Sequence, residues 1–149
     1  MSVSSTPNPT DALVDILNSS DTSDWTLQKP QIRRHDTTTP QERENTATDT
    51  VYVRDGAGLT INRFSADPET VTEDGTPACL VYSLDEDASR THASDIFDIV
   101  RAYMNDNFDE LNLYNIEPVS LNDYRAQSIS RQTDHFVFGV EFETHRFTP

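Results

Sequence analysis

Lysine, cysteine and glycine are scarce in this chain of 149 residues. Lys29 is the only lysine and Cys79 the only cysteine, so an intrachain disulfide and a zinc site of paired thiolates are both excluded. The four glycines nowhere form the GxGxxG pattern of a dinucleotide-binding fingerprint. A phosphate-binding loop is excluded as well, because Lys29 precedes Pro30 and follows no glycine.

Long apolar runs are also missing. None approaches the roughly 20 residues that a membrane-spanning helix needs. The first eight residues lack the positive and apolar regions of a signal peptide. The sequence therefore predicts a protein that does not enter a membrane, and its single cysteine suits a reducing cytoplasm.

Positive charge is low, with 26 Asp and Glu against 11 Lys and Arg and a net charge of -15. Carboxylates bind water and hydrated cations, whereas the apolar stem of lysine favours association in high salt. The composition therefore resembles that of halophilic archaeal proteins. The alternatives are an ordinary acidic protein and the acidic partner of a basic one. This charge argues against nucleic-acid binding through a broad basic patch.

Residues capable of chemistry do not form a known catalytic pattern. Asp85, Glu86, Asp87 and His92 follow neither an EF-hand nor an HExxH spacing, so they predict a solvated helix entry. Cys79 opens an apolar run and is interpreted as an inert core thiol. The histidines, which we interpret as surface or interface residues, are His35, His92, His135 and His145. We predict that the chain is not an enzyme and needs no cofactor or metal.

The length of the chain predicts one domain over residues 1–149, and its hydrophobic periodicity predicts an α+β fold. The expected sheet is mostly antiparallel, with an amphipathic helix on one face, a short N-terminal helix and long polar loops. The predicted segments are a helix at 9–18, a polar loop at 35–50, a hairpin at 51–64, a second polar loop at 65–77 and a strand-helix-strand-strand core at 79–147. Within that core, Pro118 indicates an edge strand or a bulge.

The last strand has the clearest pattern. Phe136, Phe138, Val140 and Phe142 alternate with more polar residues, so one face of the strand is wholly apolar.

A basic segment around Trp25 is unusual in so acidic a chain. Aromatic and arginine side chains commonly anchor interfaces, so the segment predicts contact with an acidic neighbour, for example another copy of this chain. The equally economical alternative is that Trp25 covers one edge of a small core. Together with the hairpin loop, the candidate interface residues are Trp25, Lys29, Arg33, Arg34, Arg54 and Asp55.

The order of elements resembles that of tail terminator, or tail-completion, proteins of tailed viruses that infect haloarchaea. The likeness lies in the N-terminal helix, the Trp25 and Lys29–Ile32 stretch before a polar loop, the strand at 79–84, the helix through Met104 and the closing strand at 135–147. It covers most of the chain, and its motifs are patterns of order and hydrophobicity.

The resemblance implies a virion protein that is assembled in the host cytoplasm. Such proteins form rings, commonly hexamers, that cap the tail tube and connect it to the head or neck. The implied partners are further copies of the chain, the tail tube protein and a head or neck connector, and DNA would pass through the lumen without specific binding. The alternatives are another neck, head-closure or adaptor protein of a tailed virus, or a cellular halophilic protein-binding module.

Overall fold

Two longer helices and a short one accompany the sheet. The computed structural model describes residues 9–55, 60–64, 67–106, 115–123 and 135–148. Helix α1 spans Pro9–Ser19, α2 spans Pro40–Glu44 and α3 spans Glu86–Asp106. Single 3-10 turns lie at Thr22–Asp24 and His35–Thr37. At the start of α3, the Asp87 N–H donates to Asp85 Oδ1 at 3.1 Å, so the acidic entry satisfies a helix N-terminus, as its sequence predicts.

The described strands form one sheet of seven strands. They are β1 (Gln31–Arg34), β2 (Thr50–Arg54), β3 (Thr60–Phe64), β4 (Asp67–Gly75), β5 (Ala78–Ser83), β6 (Asn115–Asp123) and β7 (Phe136–Thr148). Of the pairings, only that of β1 with β2 is parallel. The predicted fold class, α+β with a mostly antiparallel sheet and helices packed against it, is confirmed.

Strand β7 pairs with three other strands of this sheet. One of its edges pairs first with β5 and then with β4, without a change of register between Ala78–Glu141 and Gly75–Thr144. The intervening Phe142 N–H donates to the Pro77 carbonyl at 3.0 Å, so β4 and β5 act as one long strand. The other edge of β7 pairs with β6.

The predicted hairpin over 51–64 is wrong. Strand β2 pairs with β1 and β5, and β3 pairs with β4, so β2 and β3 follow one another along the β4–β5 strand instead of facing each other. The glycine-containing stretch between β2 and β3 predicts a hairpin turn only if these two strands have no other strands to pair with. The long β4–β5 strand supplies a partner to each. Residues 56–59 of the expected loop lie outside the described residues.

Both predicted polar loops contain regular structure. Residues 67–75 of the 65–77 loop form β4, because the backbones of β3 and β7 pair with it on both edges whatever its side chains are. The 35–50 loop contains a 3-10 turn, helix α2 and the first residue of β2. Thr39 caps α2 by accepting a hydrogen bond from the Glu42 N–H at 3.1 Å, and Pro40 occupies the first turn.

The main core lies between the sheet and the helices α1 and α3. Alternation places Val51, Val53, Cys79 and Val81 on this face of β2 and β5, and Phe138, Val140 and Phe142 on the same face of β7. Helix α3 contributes Ala93, Ile96 and Val100, and α1 contributes Leu13, Ile16 and Leu17. The apolar face predicted for β7 therefore packs on the helices that the periodicity predicts.

Residue Ser89 joins α3 to the sheet. Its buried hydroxyl donates to the Val81 carbonyl at 2.9 Å and accepts from the Phe138 N–H at 3.1 Å. Val81 and Phe138 are register partners in β5 and β7. The helix therefore contributes a hydroxyl to the backbone hydrogen bonding of the two central strands.

The opposite face of the sheet has a smaller buried cluster of Tyr52, Leu80, Tyr82 and Val137. The rings of Tyr52 and Tyr82 meet edge to face, with centroids 5.0 Å apart. The segment 35–49 approaches this face through His135, whose Nε2 lies 2.5 Å from the Thr46 carbonyl oxygen. The polar segment is therefore attached to the body of the fold.

Candidate interface

Trp25 does not lie on the surface. It is 5% exposed, its indole N–H donates to Ser20 Oγ at 2.9 Å, and its ring meets that of His92 at a centroid distance of 5.8 Å. The following residue, Thr26, donates from its N–H and its hydroxyl to the carboxylate of Asp95 on α3. Trp25 thus covers an edge of the core, as the alternative interpretation of the sequence has it.

Lys29 belongs to the end of α1. Its ammonium group donates to the carbonyl oxygens of Asn18 at 3.1 Å and Ser20 at 2.8 Å. Carbonyls at a helix C-terminus lack intrahelical donors and carry partial negative charge, which a lysine compensates. The only lysine of the chain therefore stabilises the C-terminal end of α1.

Arg34 is held by carboxylates near the start of α1. It makes an ion pair with Asp11, and two hydrogen bonds to Asp36 at 3.0 and 3.1 Å. These bonds to Asp36 raise the pKa of the Arg34 guanidinium and lower the pKa of the Asp36 carboxyl group. Asp55, which also raises the pKa of Arg34, accepts a hydrogen bond from the Thr10 hydroxyl. Arg34 and Asp55 are thus near each other, and both have partners within the same copy of the chain.

Arg33 is the outward-facing member of the basic segment. Its side chain is 44% exposed and lies 3.6 Å from the Glu42 carboxylate, a distance at which a surface ion pair contributes little. Arg54 is half-buried at the end of β2. The candidate residues therefore separate, with Trp25 and Lys29 at one end of α1, Arg34 and Asp55 at the other, and Arg33 on the edge strand β1.

Strand β6 forms the opposite edge of the sheet, as Pro118 indicates. The register shifts between Pro118 and Ser120, so the bulge that the proline also suggests is present. Two large apolar side chains are exposed here, Val119 at 49% and Leu121 at 39%. Neither residue is predicted as an interface residue from the sequence, although the break that Pro118 makes in the alternation is a usable signal.

Beside β6, a groove of about 470 Å³ opens on the face away from α3. Arg54, Ala78, Val119 and Glu141 contribute to its lining. Ala78 stands between Arg54 and Glu141 in the register of adjacent strands, and its small side chain leaves the space open. The groove thus combines an exposed apolar residue with charges of both signs.

Two histidines are buried, contrary to the prediction that they are surface or interface residues. His92 is 0% exposed, and its Nε2 lies 2.9 Å from Asp49 Oδ2, while its buried Nδ1 has no hydrogen-bond partner among the described residues. His135 is also buried, against Tyr82. Both fill positions between the sheet and the segments that cover it.

The described residues contain no group of three or more His, Cys, Asp or Glu side chains placed to hold a metal ion. Within the same residues, no helix has the length and hydropathy to cross a membrane. Burial raises the pKa of the Cys79 thiol, since an apolar surrounding disfavours the thiolate.

No protein-family model matches this chain, and no curated protein matches it either.

Proposed function

We propose that this chain is a structural protein of a virion, a ring-forming tail terminator that caps the tail tube and joins it to the head or neck. The proposal takes up the resemblance in element order. The observation that carries it is that β1 and β6 each pair with one described strand only and lie at different edges of one sheet. Among the described strands, none pairs with the outer side of either edge.

Unpaired edges favour association with other chains, because their backbone donors and acceptors need partners. A subunit with two different edges can associate head to tail, and such an interface closes into a ring when its rotation divides a full turn. The exposed Val119 and Leu121 add apolar surface at one of these edges. A hexamer is the ring size that the resemblance favours.

The charge of the chain suits a conduit for DNA. At a net charge of -15 for each copy, a ring repels the phosphate backbone, so DNA in the lumen is not retained. In this proposal the tail tube protein binds one side of the ring and a head or neck connector binds the other.

Electron microscopy of purified virus particles, with the chain located by a specific antibody, tests the proposal. We expect one ring for each particle, between the tail tube and the head. Another fixed position in the neck would indicate a head-closure or adaptor protein instead. Absence from particles would refute the virion assignment and favour a cellular halophilic binding module, and stacking along the tail would identify a tube protein.

A further inference from the structure

We infer that the β1 edge of one copy pairs antiparallel with the β6 edge of the next, to make a sheet that continues around the ring. The inference rests on the proposed function only for the closure of the ring, since the edges themselves belong to each copy. The partner that we infer for each edge is a second copy of this chain.

The directions of the strands within one copy make the pairing of β1 with β6 of the next copy antiparallel. Strand β1 is parallel to β2, and each further step from β2 to β5, β7 and β6 reverses direction. Strand β6 therefore runs opposite to β1 within one copy. When neighbouring copies keep the same orientation relative to the ring, β6 of one copy meets β1 of the next with opposite directions.

Only part of β6 is open to such pairing. In its first half, the Ile116 N–H donates to Met104 Sδ at 3.4 Å, and Pro118 has no N–H to offer. Beyond the bulge, Ser120–Asn122 continues as regular strand against β7. These residues can pair with Gln31–Arg33 of β1.

The two faces of the sheet select the register. Ile32 packs against the main core below the helices, and Leu121 lies on the same face because its register partner is Val140. Pairing Ile32 with Leu121 joins two partly exposed apolar side chains across the interface. The next pair is then Arg33 with Ser120, on the opposite face.

That second pair places a cation beside carboxylates. The Ser120 hydroxyl donates to Glu141 Oε2 at 3.3 Å, and Glu141 lines the groove of about 470 Å³. The Arg33 side chain of the neighbouring copy would enter this space. Exposed Glu117 and Glu143 lie on the same face and add to the negative potential there.

Charge also excludes the symmetric alternatives. Strand β6 contains Glu117 and Asp123 and no basic residue, so two β6 edges would bring like charges together. Two β1 edges would do the same with Arg33. Of these three contacts, only that between β1 and β6 brings opposite charges together.

Disulfide cross-linking of the full chain tests the pairing. The variant Ile32→Cys/Leu121→Cys, oxidised in molar KCl and on purified particles, is expected to give a ladder of covalent oligomers that ends at the ring size. Cys79 is buried, so the unmodified chain serves as the unreactive control. The matched control Ile32→Cys/Asn122→Cys places its thiols on opposite faces and should cross-link about tenfold less.

The outcomes separate this inference from the proposed function. Dimers from Leu121→Cys alone would overturn it in favour of an isologous contact, and equal ladders from both double variants would overturn the register. No ladder at any protein concentration, with rings still visible in particles, would overturn the edge pairing while the terminator assignment stands. A ladder from a chain that is absent from particles would support the pairing and refute the terminator.

A charge reversal provides a second measurement. Arg33→Glu is expected to raise the protein concentration needed for ring formation by about tenfold, because it places a carboxylate beside Glu141. Arg101→Glu, an equal change of charge on the exposed surface of α3, is the control. Equal effects of the two variants would mean that net charge rather than this contact decides assembly, and would contradict the inference.

Discussion

Single side chains connect the layers of this fold. The hydroxyl of Ser89 is an example, because it serves the backbones of two central strands from a helix. We predict that Ser89→Ala lowers the free energy of unfolding by about 1–3 kcal/mol, since it leaves a buried N–H and a buried carbonyl without this partner. Ser94→Ala, at an exposed position of α3, should change it little. Denaturant unfolding of both variants measures the difference, and equal effects would contradict the role of Ser89.

Phe138 fills the centre of the main core. It is buried on the helix-facing side of β7, and the guanidinium of Arg90 lies 5.1 Å from its ring centroid. We predict that Phe138→Ala costs about 3–5 kcal/mol, because the surrounding strands and helix cannot close over the cavity. Glu143→Ala, on the other face of β7, is the control. Similar unfolding midpoints for the two variants would mean that the faces of β7 are assigned wrongly.

The candidate interface shows what residue types alone can and cannot predict. Trp25 and Lys29 were predicted to lie at an interface. Both make their contacts within one copy, Trp25 in the core and Lys29 at the end of a helix. A tryptophan serves a core as well as an interface, so only its surroundings decide. Arg33 is exposed, as expected of an interface residue, because it lies on an edge strand.

Among the elements, the segment 35–49 is held by polar contacts. It lacks leucine, isoleucine, valine and aromatic residues, and its contacts include Asp49 with His92 and Thr46 with His135. Within it, Arg43 donates to the carbonyls of His35 at 3.2 Å and Thr38 at 2.8 Å. Such a segment is expected to open before the core does.

The attachment of this segment should depend on pH. Burial, Arg43 and Arg54 lower the pKa of His35 below its ordinary 6.5, and Asp36 opposes them. The unfolded chain therefore binds the proton more readily, so the contribution of His35 to stability is complete above pH 6.5 and is lost as pH falls through the lowered value.

We predict that the wild type loses stability relative to His35→Gln, which stays neutral, as pH falls below 6.5. Comparing the two proteins removes the contribution of the many carboxylates, which are common to both. Chemical unfolding across this pH range measures the difference. A difference that is constant with pH would show that His35 does not titrate in this way.

The elements that the sequence predicts well are those with visible periodicity. Helices α1 and α3 and strands β5 and β7 have apolar residues at regular spacing, and the structure has each of them. Helix α2 was missed although Thr39, Pro40 and Glu42 form a local signal for a helix start. Strand β4 was missed because it is defined by the backbones of its two neighbours. Distant backbone partners leave no pattern in the local sequence.

The charge of the chain should control its overall stability. With a net charge of -15, repulsion among carboxylates opposes the compact state, and this repulsion extends furthest at low ionic strength. We predict that the thermal midpoint rises from low to molar KCl. Calorimetry over this range measures it, with KCl replaced by sucrose as a control for effects of the solute alone. A midpoint that is flat or falls with KCl would contradict the halophilic interpretation.

The pairing of β7 with three other strands also affects how the protein is made. Strands β4, β5 and β6 all pair with β7, which is the last strand of the described chain. While the ribosome is still translating the earlier strands, their edges lack this partner and the sheet cannot close. Folding is therefore expected to await the synthesis of β7, and a chain arrested before Phe136 exposes strand edges that chaperones recognise and that aggregate.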